Sequence, residues 1–110
     1  MNPQKNKGDK AEREVAKLLT ELTGKTIRRK LGAGRTNAAG GDTGDIELDG
    51  WAIQVCDYKD KSKACLKKPR EAEEQKENLG AKNAATFVRF RGGVYRVVMT
   101  PEQWIRCLNQ

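Results

Sequence analysis

The first strong pattern along the chain is an apolar stripe near the amino terminus. Its members recur at helical spacing and are Ala11, Val15, Leu18, Leu19 and Leu22. This spacing predicts an amphipathic helix over 9–22, with Asp9 as its N-cap and Gly24 as its stop signal. The polar residues 1–8 before it are predicted to form a flexible tail.

Short alternating runs, which are typical of strands, replace the helical pattern after this point. Residues 25–31 form a β-like stretch, and a glycine-rich loop follows over 32–41. The runs 44–48 and 51–57 predict a hairpin that turns at Asp49-Gly50.

The second half of the chain predicts two helices with a second hairpin between them. A helix over 69–79 ends at Gly80, and strands over 84–90 and 94–99 follow it. The last helix has an N-cap, a proline, a capping-box glutamine and three apolar side chains expected to face inward. These are Thr100, Pro101, Gln103, Trp104, Ile105 and Leu108.

The resulting order of elements is α-β-β-β-α-β-β-α, which predicts one α/β domain over 9–110 with a central mixed sheet flanked by helices. A length of 110 residues allows one modest core. The 22 Lys and Arg residues outnumber the 15 Asp and Glu residues and leave a net charge of +7, which favours a nucleic-acid partner. No apolar run approaches the roughly 18 residues that a membrane span needs.

The residue types present exclude several kinds of chemistry. The chain has no histidine, so a histidine general base is excluded, and with no C-x-x-C pair a zinc site is disfavoured. The start of the chain lacks the apolar core of a secretory signal. Three widely spaced cysteines argue against a disulfide framework and for a reducing cytoplasm.

Three polar side chains are candidates for chemistry, and two of them interrupt an apolar pattern. Asp45 begins the first strand of the hairpin, Gln54 interrupts the apolar second strand, and Glu12 falls inside the apolar arc of the first helix. Carboxylate and amide oxygens held together are natural ligands for Mg²⁺, and a phosphodiester is the anion that a basic protein would present to it. The alternatives are a turn aspartate at Asp45 and, for Glu12, a helix-edge glutamate that reaches water.

Several of these segments together resemble the PD-(D/E)XK nuclease superfamily, and within it the small archaeal and phage Holliday junction resolvases and related phage endonucleases. The segments are Lys7-Gly8, Ala11-Glu12-Arg13-Glu14, Arg28-Arg29, the glycine-rich loop, Gly44-Asp45-Ile46 and Gln54-Val55-Cys56. The resemblance implies a restriction-endonuclease-like core, a phosphodiesterase that uses Mg²⁺ or Mn²⁺, and a homodimer that cleaves branched or four-way DNA during recombination. It further implies a place in the cytoplasm of a bacterial, archaeal or phage-infected host cell.

The same resemblance assigns Glu12, Asp45 and Gln54 as metal ligands and catalytic residues. It also exposes a departure, because Cys56 stands where the family has a lysine. Lys59 is the first candidate to replace that lysine, and a motif shifted to Asp57-Tyr58-Lys59 is the second. The third interpretation is that catalysis has been weakened or lost.

Cations around the proposed site are expected to contact the DNA backbone. They are Arg13, Arg28, Arg29, Lys30 and Arg35. Two other functions remain open from the sequence. One is a non-catalytic DNA-binding module that keeps the nuclease fold, and the other is a basic RNA-associated protein without a metal.

Overall fold

A computed structural model describes residues 3–110, including the side chains of all of these except residues 3–6 and 33. Residues 3–110 form four α-helices, five strands and one short 3₁₀ helix. The helices are α1 (Pro3–Thr23), α2 (Lys61–Leu66), α3 (Lys68–Leu79) and α4 (Pro101–Leu108). The strands are β1 (Arg28–Arg29), β2 (Ile46–Leu48), β3 (Trp51–Cys56), β4 (Asn83–Phe90) and β5 (Val94–Val98).

The strands form one mixed sheet in the order β1-β2-β3-β4-β5. Neighbours are antiparallel except for β3 and β4, which run parallel and are joined by α2 and α3. A parallel pair needs a crossover of this kind, because its second strand must start again from the same end of the sheet. The predicted α/β class with a central mixed sheet is confirmed.

Helices cover both faces of the sheet. Val15 and Ala16 of α1 pack on Ile46 and Ile53, while Ala72 of α3 packs on the opposite face. The partners of Ala72 are Ala52 and Ala84, which are register neighbours on β3 and β4. Small side chains on three elements let α3 approach the sheet closely, so polar groups at its amino-terminal end are brought near β3.

Two predicted features of the helices are wrong. Helix α1 begins at Pro3 and includes residues 3–8, which had been assigned to a tail, so Asp9 lies inside the helix and is not its N-cap. Helix α2, in which only Ala64 is buried, is not indicated by the sequence pattern. A lysine-rich segment with one buried alanine has no apolar stripe to reveal it, and its N-cap, Asp60, is the one local signal.

The prediction for α4 is correct in position and wrong in orientation. Thr100 caps the helix through Gln103 N, as expected, but Gln103 itself is fully buried. Its side chain accepts from Ala84 N and donates to Asn83 Oδ1, both at 2.8 Å, so it does not complete a capping box. With Gln103 facing inward, helical rotation carries the next apolar side chains outward. They are Trp104, Ile105 and Leu108, which are 55%, 49% and 60% exposed.

Both predicted glycine stops, Gly24 after α1 and Gly80 after α3, are confirmed. In the part of the chain that the structure describes, no helix has the length and apolar character needed to cross a membrane.

Candidate active site

Asp45 lies at a fork between β2 and β3. Its backbone N–H donates to Ile53 O at 2.7 Å, and its carboxylate Oδ2 accepts from Val55 N at 2.8 Å. The side chain therefore takes a hydrogen bond that a longer β2 would have satisfied through its backbone. Gly44 makes this possible, because it has φ +100° and a Cβ there would lie 2.9 Å from Ile53 O. The fork holds the Asp45 carboxylate in a fixed, buried position.

Glu12 reaches the same place from the other end of the chain. It lies on the buried side of α1, between the sheet and the loop that follows β1, and both it and Asp45 are only 7% exposed. One guanidinium joins the two acids. Arg35 places Nη1 3.4 Å from Glu12 Oε1, while its Nη2 pairs with Asp45 Oδ1. Glu12 and Asp45, two of the three predicted ligands, are thus brought together by one arginine.

The loop that carries Arg35 is firmly attached to the body of the protein. Arg35 ends a short 3₁₀ helix (Gly32–Arg35), and its carbonyl accepts from Thr43 N at 2.9 Å. Lys30 Nζ donates to Thr43 O at 2.8 Å, and Asn78 Nδ2 of α3 donates to Asp42 O at 2.9 Å. The guanidinium is thus held over the two acids by a loop with its own internal hydrogen bonds.

Burial dominates the electrostatics of both acids. Desolvation raises the pKa of Asp45, against the opposing hydrogen bond from Val55 and the positive charges of Arg35 and Lys68. Desolvation and the nearby Asp45 carboxylate raise the pKa of Glu12, although Arg35 and Arg29 oppose them. Two acids whose charged forms remain unfavourable beside an arginine are short of positive charge.

Gln54 belongs to the side of the sheet that α3 covers. It is 7% exposed, and its Nε2 donates to Glu71 Oε2 at 3.3 Å. Within the described residues its Oε1 is buried without a hydrogen-bond partner, as is Oγ1 of Thr86, the register neighbour of Gln54 on β4. Buried oxygens are rarely left without a donor, so this amide has an unused capacity to bind a cation or water.

The other predicted site residues lie in different surroundings. Lys59 is exposed in the segment between β3 and α2, and no hydrogen bond or ion pair among the described residues joins it to the two acids or Gln54. Arg13 and Arg28 are exposed, as DNA contacts would require. Arg29 Nη1 lies 3.7 Å from Asp9 Oδ1 and 3.9 Å from Glu12 Oε1. Lys30 is buried and engaged with Thr43, so its ammonium is not available to a phosphate in this conformation.

Two residues of α3 belong to these surroundings and were missed from the sequence. Lys68 Nζ lies 2.8 Å from Glu71 Oε2, and the same oxygen accepts the hydrogen bond from Gln54 Nε2. The i,i+3 spacing of Lys68 and Glu71 at the start of a predicted helix was a usable signal that the two pair. The sequence held no indication of which way that pair would face.

The two carboxylates and the Gln54 amide offer oxygens of the kind that a hard divalent cation binds, although no hydrogen bond among the described residues joins Gln54 to the carboxylates. Among the residues described, no group of three His, Cys, Asp or Glu side chains is arranged to hold a metal, so a metal bound here would need a non-acidic ligand beside the two carboxylates. The Gln54 amide oxygen is such a ligand. Carboxylate and amide oxygens match Mg²⁺ and Mn²⁺ rather than zinc or copper.

Comparisons with curated proteins and with solved structures return no match. A family model described as "Phage putative PDDEXK endonuclease" matches residues 3–74, which is more than half of the chain. The matched segment contains Glu12, Arg35, Asp45, Gln54 and Glu71. The superfamily inferred from the motifs is thereby supported, and the closer likeness to Holliday junction resolvases stays a prediction. The chain belongs to the family described as "Phage putative PDDEXK endonuclease".

Proposed function

We propose that this protein is a Mg²⁺-dependent DNA endonuclease whose metal ligands are Glu12, Asp45 and Gln54. One observation carries the proposal. Two buried carboxylates from distant parts of the chain share a single guanidinium, one of them bonded to the backbone of β3 at Val55, and the preceding residue of that strand, Gln54, has a buried, unpartnered amide oxygen. A pair of acids with raised pKa values and a nearby neutral oxygen is typical of a cation site.

The donor set supports Mg²⁺ with Mn²⁺ as a substitute. Mg²⁺ usually keeps several waters and takes one or two carboxylates from the protein, which these residues can supply. When bound, it polarises the scissile phosphate and lowers the pKa of the attacking water. Gln54 contributes an oxygen without a charge, so the site carries one negative charge fewer than a site with three acids.

The chain's own residues prepare the site before any cation arrives. Arg35 supplies positive charge to Glu12 and Asp45 and so limits their mutual repulsion. The same guanidinium is suited to a phosphate, because its planar donors pair with either kind of anion. We infer that Arg35 moves from the acids to the DNA backbone when the site is loaded, while Arg13 and Arg28 contact phosphates from exposed positions.

The reaction is a hydrolysis, in which the water oxygen forms one P–O bond as the P–O bond to the sugar oxygen breaks. The water gives up a proton to solvent, and the leaving oxygen takes one. Branched DNA is the proposed substrate, on the likeness of the motifs to resolvases. A symmetric dimer would place two such sites against two strands of a junction, which is the reason to propose a homodimer.

A second function is favoured by two observations. Cys56 cannot supply the fixed positive charge of a lysine, and Arg35 already occupies the two acids. A protein that recognises DNA structure without cutting it would be compatible with both.

Cleavage of labelled DNA by Asp45→Asn separates these functions. We expect the wild-type protein to cut a four-way junction in Mg²⁺ or Mn²⁺, and Asp45→Asn to lose on the order of a hundredfold or more in rate. Asp49→Asn is the matched control, since Asp49 belongs to the same hairpin but lies exposed in its turn.

Three outcomes decide between the alternatives. Tight junction binding without cutting in either metal would establish the non-catalytic module. Equal activity of wild type and Asp45→Asn would remove this site from the reaction. Faster cutting of a linear duplex than of the junction would keep the endonuclease and reject the branched substrate.

A further inference from the structure

The start of α3 lies against the part of β3 where the family pattern is broken. Cys56 is buried and packs on Ala64 of α2, on the same face of β3 as Gln54. Lys68 opens α3 two residues after α2 ends. The side chains at positions 56 and 68 therefore approach the space between β3 and the start of α3 from its two sides.

Lys68 is held in that region by named contacts. Its Nζ lies 2.8 Å from Glu71 Oε2, the oxygen that also accepts from Gln54 Nε2 at 3.3 Å. The same Nζ lies 4.9 Å from the centre of the Tyr58 ring, just beyond the end of β3. The Lys68 side chain is only 15% exposed, so it is part of the protein body and not a solvated surface lysine.

The electrostatic surroundings agree with this placement. Burial is the first influence on the pKa of Lys68 and lowers it, but the hydrogen bonds with Glu71 and Tyr58 outweigh burial and raise the pKa to about 12. Lys68 is therefore a permanent cation at neutral pH and does not accept a proton. Its charge also reaches both Asp45 and Cys56.

The other lysines near the end of β3 are less suited to the site. Lys61 Nζ donates to the carbonyls of Tyr58 and Arg89, so Lys61 has a structural role. Lys59 is exposed. Lys68 is the lysine in this group that shares a carboxylate with a proposed metal ligand.

We propose that Lys68 supplies, from helix α3, the positive charge that the family pattern places on β3 at position 56. The proposal rests on the endonuclease function proposed above. In this role Lys68 orients the attacking water and favours its ionised form, while Glu71 positions Lys68 and Gln54 together. The first turn of α3 then compensates for Gln54 and Cys56, which stand on β3 where the family has an acid and a lysine. DNA cleavage is retained.

Three substitutions test this role. Lys68→Met should lower the rate of DNA cleavage by on the order of a hundredfold, as expected for loss of one charged group that acts on the transition state. Lys68→Arg keeps the charge and should retain most of the rate. Lys67→Met is the matched control, because Lys67 is the adjacent lysine and its side chain is exposed.

Two further measurements distinguish a role in chemistry from a role in folding. Calorimetric titration with Mn²⁺ should show an affinity for Lys68→Met no weaker than that of wild type, because Lys68 is not a proposed ligand and its charge near Asp45 repels a cation. The pH–rate profile of Lys68→Met should move to higher pH, since the water has lost a cation that favoured its ionisation.

The possible failures are distinguishable. If the wild type does not cut DNA, this proposal and the endonuclease function both fall. If the wild type cuts and Asp45→Asn does not, but Lys68→Met keeps wild-type activity, Lys68 has no such role and the endonuclease function stands. Equal losses in Lys67→Met and Lys68→Met, or an unmoved pH profile in Lys68→Met, would likewise overturn the role of Lys68.

Discussion

Glu12 and Asp45 are acids in positions that oppose stability. Each is 7% exposed, and each has its pKa raised mainly by burial even though Arg35 lies beside it. The folded protein would be more stable with neutral side chains there, because buried charge is costly when it is incompletely paired. The proposed role as metal ligands would account for acids at such positions.

The substitution Glu12→Gln should therefore stabilise the metal-free protein at pH 7. The folded state holds the Glu12 proton more tightly than the unfolded chain, whose ordinary pKa is 4.5, so wild-type stability is lost as pH rises from 4.5 through the raised pKa. Removing the charge should raise the free energy of unfolding by roughly 0.5–2 kcal/mol at pH 7. Below pH 4.5 the difference should disappear.

Urea denaturation in the presence of a chelator, between pH 4 and pH 8, measures this difference. Glu21→Gln on the exposed side of the same helix is the control and should leave stability nearly unchanged. A less stable Glu12→Gln at pH 7 would show that the contacts with Arg35 and Arg29 outweigh the cost of burial.

Single residues also differ in how far the sequence reveals them. Glu12 and Gln54 were identifiable because each interrupts an apolar pattern whose period is known, and both are buried as that pattern implies. Asp45 was identifiable from its place at the head of a strand. Arg35 was assigned to DNA but lies on the acids, because no local pattern tells which carboxylate a loop arginine will meet.

Among the elements, β2 and its junction with β3 determine the site most directly. Strand β2 has only three residues, and the chain before it must turn sharply so that the Asp45 carboxylate enters the fork. Gly44 provides that turn with φ +100° in close contact with Ile53 O. The short strand β2 therefore matters more for fixing the position of the Asp45 side chain than for extending the sheet.

Gly44→Ala should accordingly damage both stability and activity. A Cβ at 2.9 Å from Ile53 O and the positive φ together should cost about 1–3 kcal/mol. Displacement of Asp45 should also slow cleavage strongly. Gly50→Ala is the control, since Gly50 has φ +82° with no atom within 4 Å of the added Cβ.

Thermal denaturation and the junction-cleavage assay together check this prediction. Gly50→Ala should lose about 1–2 kcal/mol from its positive φ alone and keep its activity. If Gly44→Ala cut DNA as fast as Gly50→Ala, the fork would not be what positions Asp45.

The elements also differ in how far the sequence predicts their bounds and orientation. Helix α3 and the second hairpin followed from proline, glycine and alternation, and they appear within a residue or two of their expected bounds. The orientation of α4 did not follow, because a buried glutamine that serves the β4 backbone overrode the apolar pattern. Polar satisfaction across elements is a tertiary property that a local pattern does not contain.

For the whole molecule, the net charge of +7 sets the expected mode of DNA binding. With Arg13 and Arg28 exposed and Arg29 and Arg35 beside the site, about four phosphate contacts are reasonable. Counterion release then predicts that junction affinity falls on the order of a hundredfold between 50 and 200 mM salt. Fluorescence anisotropy with labelled junction in the presence of Ca²⁺ or a chelator measures this slope.

A double substitution checks that the slope comes from the proposed face. Arg13→Gln combined with Arg28→Gln should remove two phosphate contacts. The slope of log affinity against log salt concentration should therefore become shallower by about two. The control is Lys76→Gln with Lys82→Gln, which removes the same charge from α3 and the following loop. Equal slopes for both double variants would mean that DNA lies elsewhere on the protein.

The arginine bridge between the two acids has a consequence for how this protein would be regulated by its own ligands. A guanidinium and a divalent cation compete for the same oxygens, so the free protein should hold metal weakly. Any polyanion that draws Arg35 away would strengthen metal binding, and thermodynamic reciprocity requires the metal to strengthen binding of that polyanion by the same factor. An enzyme built in this way would stay idle in a magnesium-rich cell until its nucleic acid arrives.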